Sequence, residues 1–365
     1  MTQQKSGVRP SAAVRDTAPY GVPRSGAAID LHLDGNEGPA PSRALLAALR
    51  ALAPEVFRRY PSARALEAQI AGGLGVDPSR VLVTAGGDDA LMRACHAVLA
   101  GGREMVLPVP TFEMFARFCA LAGGVVRPVP WDGGAWPVDR VVRAVTRRTG
   151  AIVAVSPNNP TGALIPSDAI RAVAAAAPHA LVIVDLAYGE FAWKEQTSVA
   201  LSLPNAIAVR SCSKAWGIAG LRVGYAAGPA EVIGWLRAAG SPYAVSGPSV
   251  AMASAWLDGG KERVARFVAR VQYERTALGR ELCAMGARPY PTEANFVLAR
   301  FDDARGVWER LARQGIAVRS FPARPKGAAA AVPLHECLRI SCPGSARQFT
   351  RLLAALKKAT GARKA

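Results

Sequence analysis

Several features that define large classes of protein are missing from this sequence of 365 residues. No apolar run reaches the length of about 18 residues that a membrane-spanning helix needs. The N-terminus, Met1-Thr-Gln-Gln-Lys5, lacks the apolar core of a signal peptide. The six cysteines include no Cys-x-x-Cys pair and lie near no histidine cluster, so we expect free, mostly buried thiols and no metal site. These absences lead us to expect a cytoplasmic protein that has no membrane partner.

Acidic residues are scarce, because 27 Asp and Glu stand against 45 Lys and Arg, and the formal net charge is +18. Such a charge is compatible with nucleic-acid binding, in which phosphate contacts dominate. The arginines are spread along the chain, however, and no zinc finger, basic arm or helix-turn-helix pattern is present. We therefore favour an arginine-rich bias together with an anionic small-molecule substrate, and we expect no nucleic-acid partner.

Strand and helix patterns alternate through most of the chain, and half of its residues are hydrophobic. This alternation predicts an α/β fold with a mostly parallel central sheet and helices on both faces. The last part of the chain predicts a smaller α+β domain. The predicted strands are 81–84, 104–107, 125–129, 151–155, 181–185 and 206–210 in the first part, and 295–299, 316–319 and 337–341 in the last.

One lysine has an unusual setting. Lys214 follows an apolar run that predicts a buried strand, and it lacks a helical polar face on which its ammonium could be solvated. Schiff-base formation uses such a lysine, because the amine must lose its proton before it attacks a carbonyl, and pyridoxal phosphate is the usual aldehyde. Ser211, Ser213 and Arg222 supply the donors that a cofactor phosphate needs. Taken alone, this pattern is also compatible with an ordinary loop that carries a surface lysine.

Other polar residues lie where predicted strands end, and ligands gather at the carboxyl ends of parallel strands. Gly87 and Asp88 open a helix directly after strand 81–84, and the backbone N–H groups of such a turn favour an anion. A glycine turn with an aspartate cap is more often structural. Asp185 ends the apolar run 181–184, where its carboxylate could cap a helix or pair with a protonated pyridine nitrogen.

Nine short motifs follow one another in order along nearly the whole chain. They are N-E-x-P at 36–39, R-Y-P at 59–61, a Gly-Asp turn at 87–88, P-T-aromatic at 110–112, N-N-P-T-G at 158–162, D-x-A-Y at 185–188, S-x-S-K at 211–214, G-L-R-x-G at 220–224 and L-R-I at 338–340. Each motif is weak by itself, but coincidence is a poor explanation for nine in order. The set resembles the fold-type I pyridoxal-phosphate aminotransferases, most closely the histidinol-phosphate aminotransferase family.

The resemblance implies a role for each matched residue. Lys214 would bind the cofactor covalently and move the substrate proton, Asp185 would keep the pyridine nitrogen protonated, and Tyr188 would hydrogen-bond the ring hydroxyl. The other cofactor-binding residues implied are Gly87, Asp88, Phe112, Asn159, Ser211, Ser213 and Arg222, together with Tyr60 from a second subunit. The substrate-binding residues implied are Tyr20, Asn36, Arg319 and Arg339. A homodimer follows, because active sites of this family lie between subunits.

The resemblance also implies three parts of the chain. Residues 1–40 would form an arm that joins the small domain or the dimer contact. Residues 41–270 would form the large domain that binds pyridoxal 5′-phosphate, and residues 271–365 the small C-terminal domain. Two positions depart from the family pattern: Phe112 stands where a tyrosine usually covers the ring, and Leu186 replaces the usual acidic residue after Asp185.

The implied reaction is amino transfer between histidinol phosphate, or a similar anionic amino compound, and 2-oxoglutarate. An aromatic amino acid aminotransferase and a threonine-phosphate decarboxylase-like enzyme show similar motifs, and both alternatives stay open. A regulator that senses the cofactor is a further alternative. It would carry a DNA-binding segment ahead of this fold, and we expect the first 30 or so residues to be too loose for one.

Overall fold

Two β-sheets organise the part of the chain that the computed structural model describes, which is residues 8–322 and 332–361 apart from positions 16, 18, 20, 22 and 24. In this part of the chain no helix combines the length and the apolar composition needed to cross a bilayer. The strands in chain order are β1 (Leu31–Leu33), β2 (Val81–Thr84), β3 (Glu104–Val109), β4 (Val125–Pro130), β5 (Thr149–Val155), β6 (Leu181–Asp185), β7 (Ala206–Ser211), β8 (Gly224–Ala227), β9 (Arg288–Pro289), β10 (Phe296–Arg300), β11 (Ile316–Ser320) and β12 (Cys337–Ser341).

The larger sheet has the strand order β2-β8-β7-β6-β5-β3-β4. Its pairs are parallel except those of β8, which runs antiparallel to β2 and β7. Every residue of β5, β6 and β7 is buried, as expected for central strands covered by helices on both faces. The predicted α/β fold with a mostly parallel sheet is therefore confirmed.

Helices cover both sheets. The α-helices among the described residues are α1 (Ala12–Arg15), α2 (Arg43–Arg50), α3 (Glu55–Arg58), α4 (Arg64–Leu74), α5 (Gly87–Val98), α6 (Met114–Leu121), α7 (Val138–Ala144), α8 (Ser167–Ala176), α9 (Thr197–Leu201), α10 (Ala230–Ala238), α11 (Gly247–Leu257), α12 (Lys261–Ala284), α13 (Ala304–Arg313) and α14 (Ala346–Thr360). Local chemistry sets several of these bounds. The Asp303 carboxylate, for example, accepts from the Gly306 N–H and begins α13.

The smaller sheet has the order β1-β11-β12-β10-β9 and takes its first strand from the N-terminal arm. Leu31 and Leu33 of β1 are buried and His32 is exposed, so the strand turns one face to the core and one to water. Helix α12 buries Val264 and Leu278 in the core under this sheet, on both sides of position 270. The division of the chain at 270 and 271 stays a prediction.

All six cysteines are free thiols, and every one except Cys283 is buried. The core of the small sheet also includes Tyr188 and Ala215, which belong to segments that leave the larger sheet. The two sheets therefore meet beside the loop that carries Lys214.

Candidate active site

A cavity of about 810 Å³ lies where the carboxyl ends of β5, β6 and β7 meet the smaller sheet. Residues from widely separated motifs converge on it. The predicted site residues that line this cavity are Asn36, Gly87, Asp88, Phe112, Asn159, Asp185, Tyr188, Ser211, Ser213, Lys214, Arg222, Arg319 and Arg339. The structure therefore brings together all the predicted site residues that it describes, with the exception of Tyr60.

Lys214 lies in the loop after β7, and its Nζ atom donates to the carbonyl oxygen of Gly35 at 2.9 Å. The same atom is 5.8 Å from the centre of the Tyr188 ring. The segment at Gly38 packs backbone to backbone against the lysine loop, so that a Cβ atom at Gly38 would overlap the Lys214 carbonyl. Gly38 is the variable position of the N-E-x-P motif, and the close approach of its backbone to the Lys214 loop requires a glycine there.

Asp185 is the last residue of β6, and only 5% of it is exposed. Burial raises the pKa of its carboxyl group to about 7, and the nearby negative charge of Asp88 acts in the same direction. The hydrogen bond from the Ala187 N–H, at 3.0 Å, and the charge of Lys214 lower it. A carboxyl group buried in this way would be suited to hold a proton at the ring nitrogen of a bound pyridoxal phosphate.

Tyr188 is held by Asn36, whose Nδ2 atom donates to the tyrosine hydroxyl at 3.0 Å. The amide oxygen of Asn36 accepts from Ser341 Oγ at 2.7 Å, and its backbone carbonyl accepts from Asn295 Nδ2 at 3.1 Å. Asn36 is 1% exposed and has a φ of 54°, a conformation uncommon outside glycine. In this arrangement Asn36 orients Tyr188, while its predicted contact with substrate stays a prediction.

Donors for an anion surround the first turn of α5. Gly86 precedes this helix with a φ of 81°, and a Cβ atom there would lie 2.6 Å from Nη2 of Arg222. Strand β8 is antiparallel to β7, which returns Arg222 to the neighbourhood of Ser213 and Asp88, at 3.5 Å from each. Hydroxyls, a guanidinium and free helix N–H groups at one point form a typical phosphate site.

Arg319 and Arg339 also line the cavity and are only 8% and 7% exposed. Arg339 donates to Asn159 Oδ1 and to the carbonyl oxygen of Asp34, both at 2.6 Å. Arg319 donates to Glu113 Oε1 at 3.1 Å. Two buried guanidinium groups in the wall of a cavity are suited to hold an anion.

The two departures from the family pattern have different surroundings. Leu186 is buried in the core beneath the sheet, among Val184 and Ala208, and it does not line the cavity. An apolar residue is therefore accommodated there. Phe112 does line the cavity and packs edge to face on Phe115, with ring centres 6.4 Å apart.

One predicted residue, Tyr60, lies outside this cavity. Tyr60 is 82% exposed, stacks on Tyr243 with ring centres 4.6 Å apart, and is not among the described residues that line the cavity of its own chain. Its contact with the cofactor of a second subunit stays a prediction. Tyr20 lies outside the described residues.

A buried ion-pair cluster that was not predicted from the sequence lies next to the site. Arg210 of β7 contacts Glu190 Oε1 at 2.8 Å and Thr197 Oγ1 at 2.7 Å, and it also contacts Glu195. The cluster ties the strand that precedes Ser211 to the segment that follows Asp185. An arginine inside the apolar run 206–211 was the available signal, since buried charges are rare unless they are paired.

Known proteins that are similar to this chain are aminotransferases. A family model described as aminotransferase class I and II matches residues 29–356. A histidinol-phosphate aminotransferase of Xylella fastidiosa is 34% identical over 358 residues, which cover 94% of this chain and 94% of that protein. An aromatic amino acid aminotransferase of Cutibacterium acnes is 35% identical over 302 residues, which cover 79% of this chain and 84% of that protein.

Solved structures show the same similarity. The histidinol-phosphate aminotransferase of Sinorhizobium meliloti in complex with pyridoxal-5′-phosphate has a TM-score of 0.86 and 25% identity, with 98% of each chain covered. A mutant aspartate aminotransferase of Thermus thermophilus has a TM-score of 0.79 and 26% identity, covering 96% of this chain and all of that one.

The fold and the lysine-bearing cavity define a pyridoxal-phosphate-dependent enzyme of fold type I. Within that class, the chain belongs to the aminotransferase class I and II family. The predicted fold, cofactor and enzyme class are confirmed, as is the similarity to the histidinol-phosphate aminotransferases.

Proposed function

We propose that this aminotransferase transfers an amino group between histidinol phosphate and 2-oxoglutarate. The observation that carries the proposal is the pair of buried arginines, Arg319 and Arg339, that line the same cavity as Lys214 and the phosphate site. A phosphate ester and a dicarboxylic oxo acid both carry an anion remote from the reacting carbon, so one arginine site can serve each in turn. The similarity to histidinol-phosphate aminotransferases over 94% of the chain supports this choice.

Each residue of the site has a separate role, which its position determines. Pyridoxal phosphate, when bound, supplies a carbonyl group for the amine and an electron sink for charge that develops at the substrate α-carbon. Lys214 provides the amine and moves the proton at that carbon. Asp185 holds a proton at the ring nitrogen, and Asn36 fixes the Tyr188 hydroxyl at 3.0 Å. The donors around the first turn of α5 hold the cofactor phosphate.

A homodimer is part of this proposal, with Tyr60 reaching the cofactor of the partner subunit. Three aromatic side chains support an interface on this face, since Phe57, Tyr60 and Tyr243 are 63%, 82% and 51% exposed. Apolar side chains grouped on a surface mark interaction sites. We also place the enzyme in the cytoplasm, where the proposed substrates are water-soluble metabolites.

The second candidate is aromatic amino acid transamination. It is favoured by the Cutibacterium acnes relative and by apolar side chains in the cavity wall, namely Phe112, Phe321 and Leu334. Phe112 also lacks the hydroxyl that the family usually places over the ring.

Spectra of the bound cofactor distinguish the two. The purified enzyme should be yellow, borohydride should attach the cofactor to Lys214, and histidinol phosphate should change the spectrum and be converted when 2-oxoglutarate is present. Brisk turnover of phenylalanine and tyrosine without reaction of histidinol phosphate would transfer the assignment to the second candidate. Release of CO₂ from threonine phosphate would instead identify a decarboxylase.

A further inference from the structure

Glu113 brings a carboxylate to one of the two buried arginines that line the cavity. Its Oε1 atom accepts from Nη2 of Arg319 at 3.1 Å. Glu113 follows strand β3 of the larger sheet, whereas Arg319 belongs to β11 of the smaller sheet. The ion pair therefore joins the two walls of the cavity at the place where a substrate anion would bind.

The two partners differ in freedom of movement. The Arg319 side chain is 10% exposed, and the Glu113 side chain is 59% exposed. A substrate anion can therefore bind the guanidinium of Arg319, whose position is fixed, while the carboxylate of Glu113 rotates into the solvent. Breaking the ion pair between Glu113 and Arg319 costs little free energy, since an ion pair with an exposed partner contributes about 0–1 kcal/mol.

We propose that Glu113 is a specificity-determining residue that competes with the distal anion of the substrate for Arg319. This inference rests on the anion subsite of the proposed function. The carboxylate weakens the binding of every ligand whose far end is anionic, and it leaves ligands with a neutral far end unaffected. Glu113 thereby sets the balance between phosphorylated and neutral substrates, and it returns to Arg319 when the product leaves.

The test uses Glu113→Gln in the holoenzyme, because glutamine keeps the shape of the side chain and removes only its charge. Propyl phosphate, which has no amine to react, serves as the anionic probe in isothermal titration calorimetry. We expect its dissociation constant to fall by about twofold to fivefold, the range expected for one exposed ion pair. Histidinol, which lacks the phosphate, should bind both proteins equally in a titration of the cofactor spectrum.

Glu309→Gln is the matched control, because Glu309 pairs with exposed Arg305 on α13 and does not line the cavity. It makes the same change in net charge and should not alter propyl phosphate binding. An unchanged or higher dissociation constant in Glu113→Gln would overturn the inference. An equal fall in the dissociation constant of propyl phosphate with Glu309→Gln would overturn it as well, because the effect of the lost charge would then be long-range. Propyl phosphate binding requires no turnover, so this result is independent of whether histidinol phosphate proves to be the substrate.

Discussion

Arg319 and Arg339 lie directly opposite each other on the antiparallel strands β11 and β12. Like charges at facing positions of a sheet are destabilising, and both of these residues are buried. Such a pair is understandable when an anion binds between or beside the two guanidinium groups. Stability is thus lowered at the point where the proposed function needs positive charge.

Arg339→Lys should impair both half-reactions of the proposed transaminase. A lysine ammonium cannot present the two parallel N–H donors that fit a carboxylate or a phosphate. The lost charge-assisted hydrogen bond should cost about 1.5–3 kcal/mol, or roughly tenfold to a hundredfold in kcat/KM. Single-turnover kinetics with histidinol phosphate and with glutamate measure the two half-reactions separately. Full activity toward glutamate alone would assign Arg339 to the phosphorylated substrate only.

Mixing two inactive variants should test the role of Tyr60. If Tyr60 serves the partner's cofactor, a heterodimer of Lys214→Ala and Tyr60→Ala contains one intact site, formed by Lys214 of one subunit and Tyr60 of the other. We expect each variant to be weakly active or inactive alone and the unfolded and refolded mixture to recover activity. The cofactor content of each species is measured in parallel. A mixture that never exceeds the sum of its components would argue that Tyr60 acts elsewhere.

The sequence predicted the framework of the site because its motifs lie at strand ends. The apolar run 206–210 correctly predicted β7 and therefore placed the Lys214 loop. Strand β8 was missed, since Gly-Tyr-Ala-Ala lacks β-branched residues and is a strand only through its pairing with β2 and β7.

The orientation of Arg339 could not be predicted from the sequence for a similar reason. Every residue of β12 is buried, so alternation along the strand carries no information about which face meets the cavity. The contact between Glu113 and Arg319 joins positions 206 apart in sequence, and it arises only from the packing of the two sheets. Short-range patterns cannot predict such contacts.

Asp185 should make the stability of the cofactor-free protein depend on pH. Its pKa is raised by burial from an ordinary value of 3.8 to about 7. The folded state therefore favours the protonated carboxyl, so its contribution to stability is complete below about pH 4 and is lost as the pH rises through 7. The shift corresponds to a loss on the order of 4 kcal/mol, which Asp185→Asn should abolish.

Urea unfolding of both cofactor-free proteins between pH 4 and pH 9 measures this difference. Asp303→Asn serves as the control, because hydrogen bonds from Arg310 and the Gly306 N–H lower the pKa of Asp303, so its titration lies below this pH range and the variant should keep the pH dependence of the wild type. Parallel stability curves for the wild type and Asp185→Asn would contradict the prediction. In the loaded enzyme, Asp185→Asn should lower kcat strongly while the cofactor still binds, because the ring nitrogen loses its acidic partner.

Arg210→Met should destabilise the protein far more than the loss of a surface ion pair. The Arg210 and Glu190 side chains are 10% and 14% exposed, so the substitution leaves a buried carboxylate without its cation. Breaking such a pair costs about 3–5 kcal/mol. Arg305→Met, which removes a partner that is 90% exposed, should cost about 0.5 kcal/mol or less.

Thermal or urea unfolding of the cofactor-free variants compares the two costs directly. The double variant Arg210→Met, Glu190→Gln should recover part of the loss, because glutamine removes the stranded negative charge from the interior. Since Arg210 links the segment after Asp185 to the strand before Ser211, the single variant should also bind pyridoxal phosphate more weakly than Arg305→Met does. Equal stabilities of Arg210→Met and Arg305→Met would show that the cluster is hydrated and contributes no more than an exposed pair.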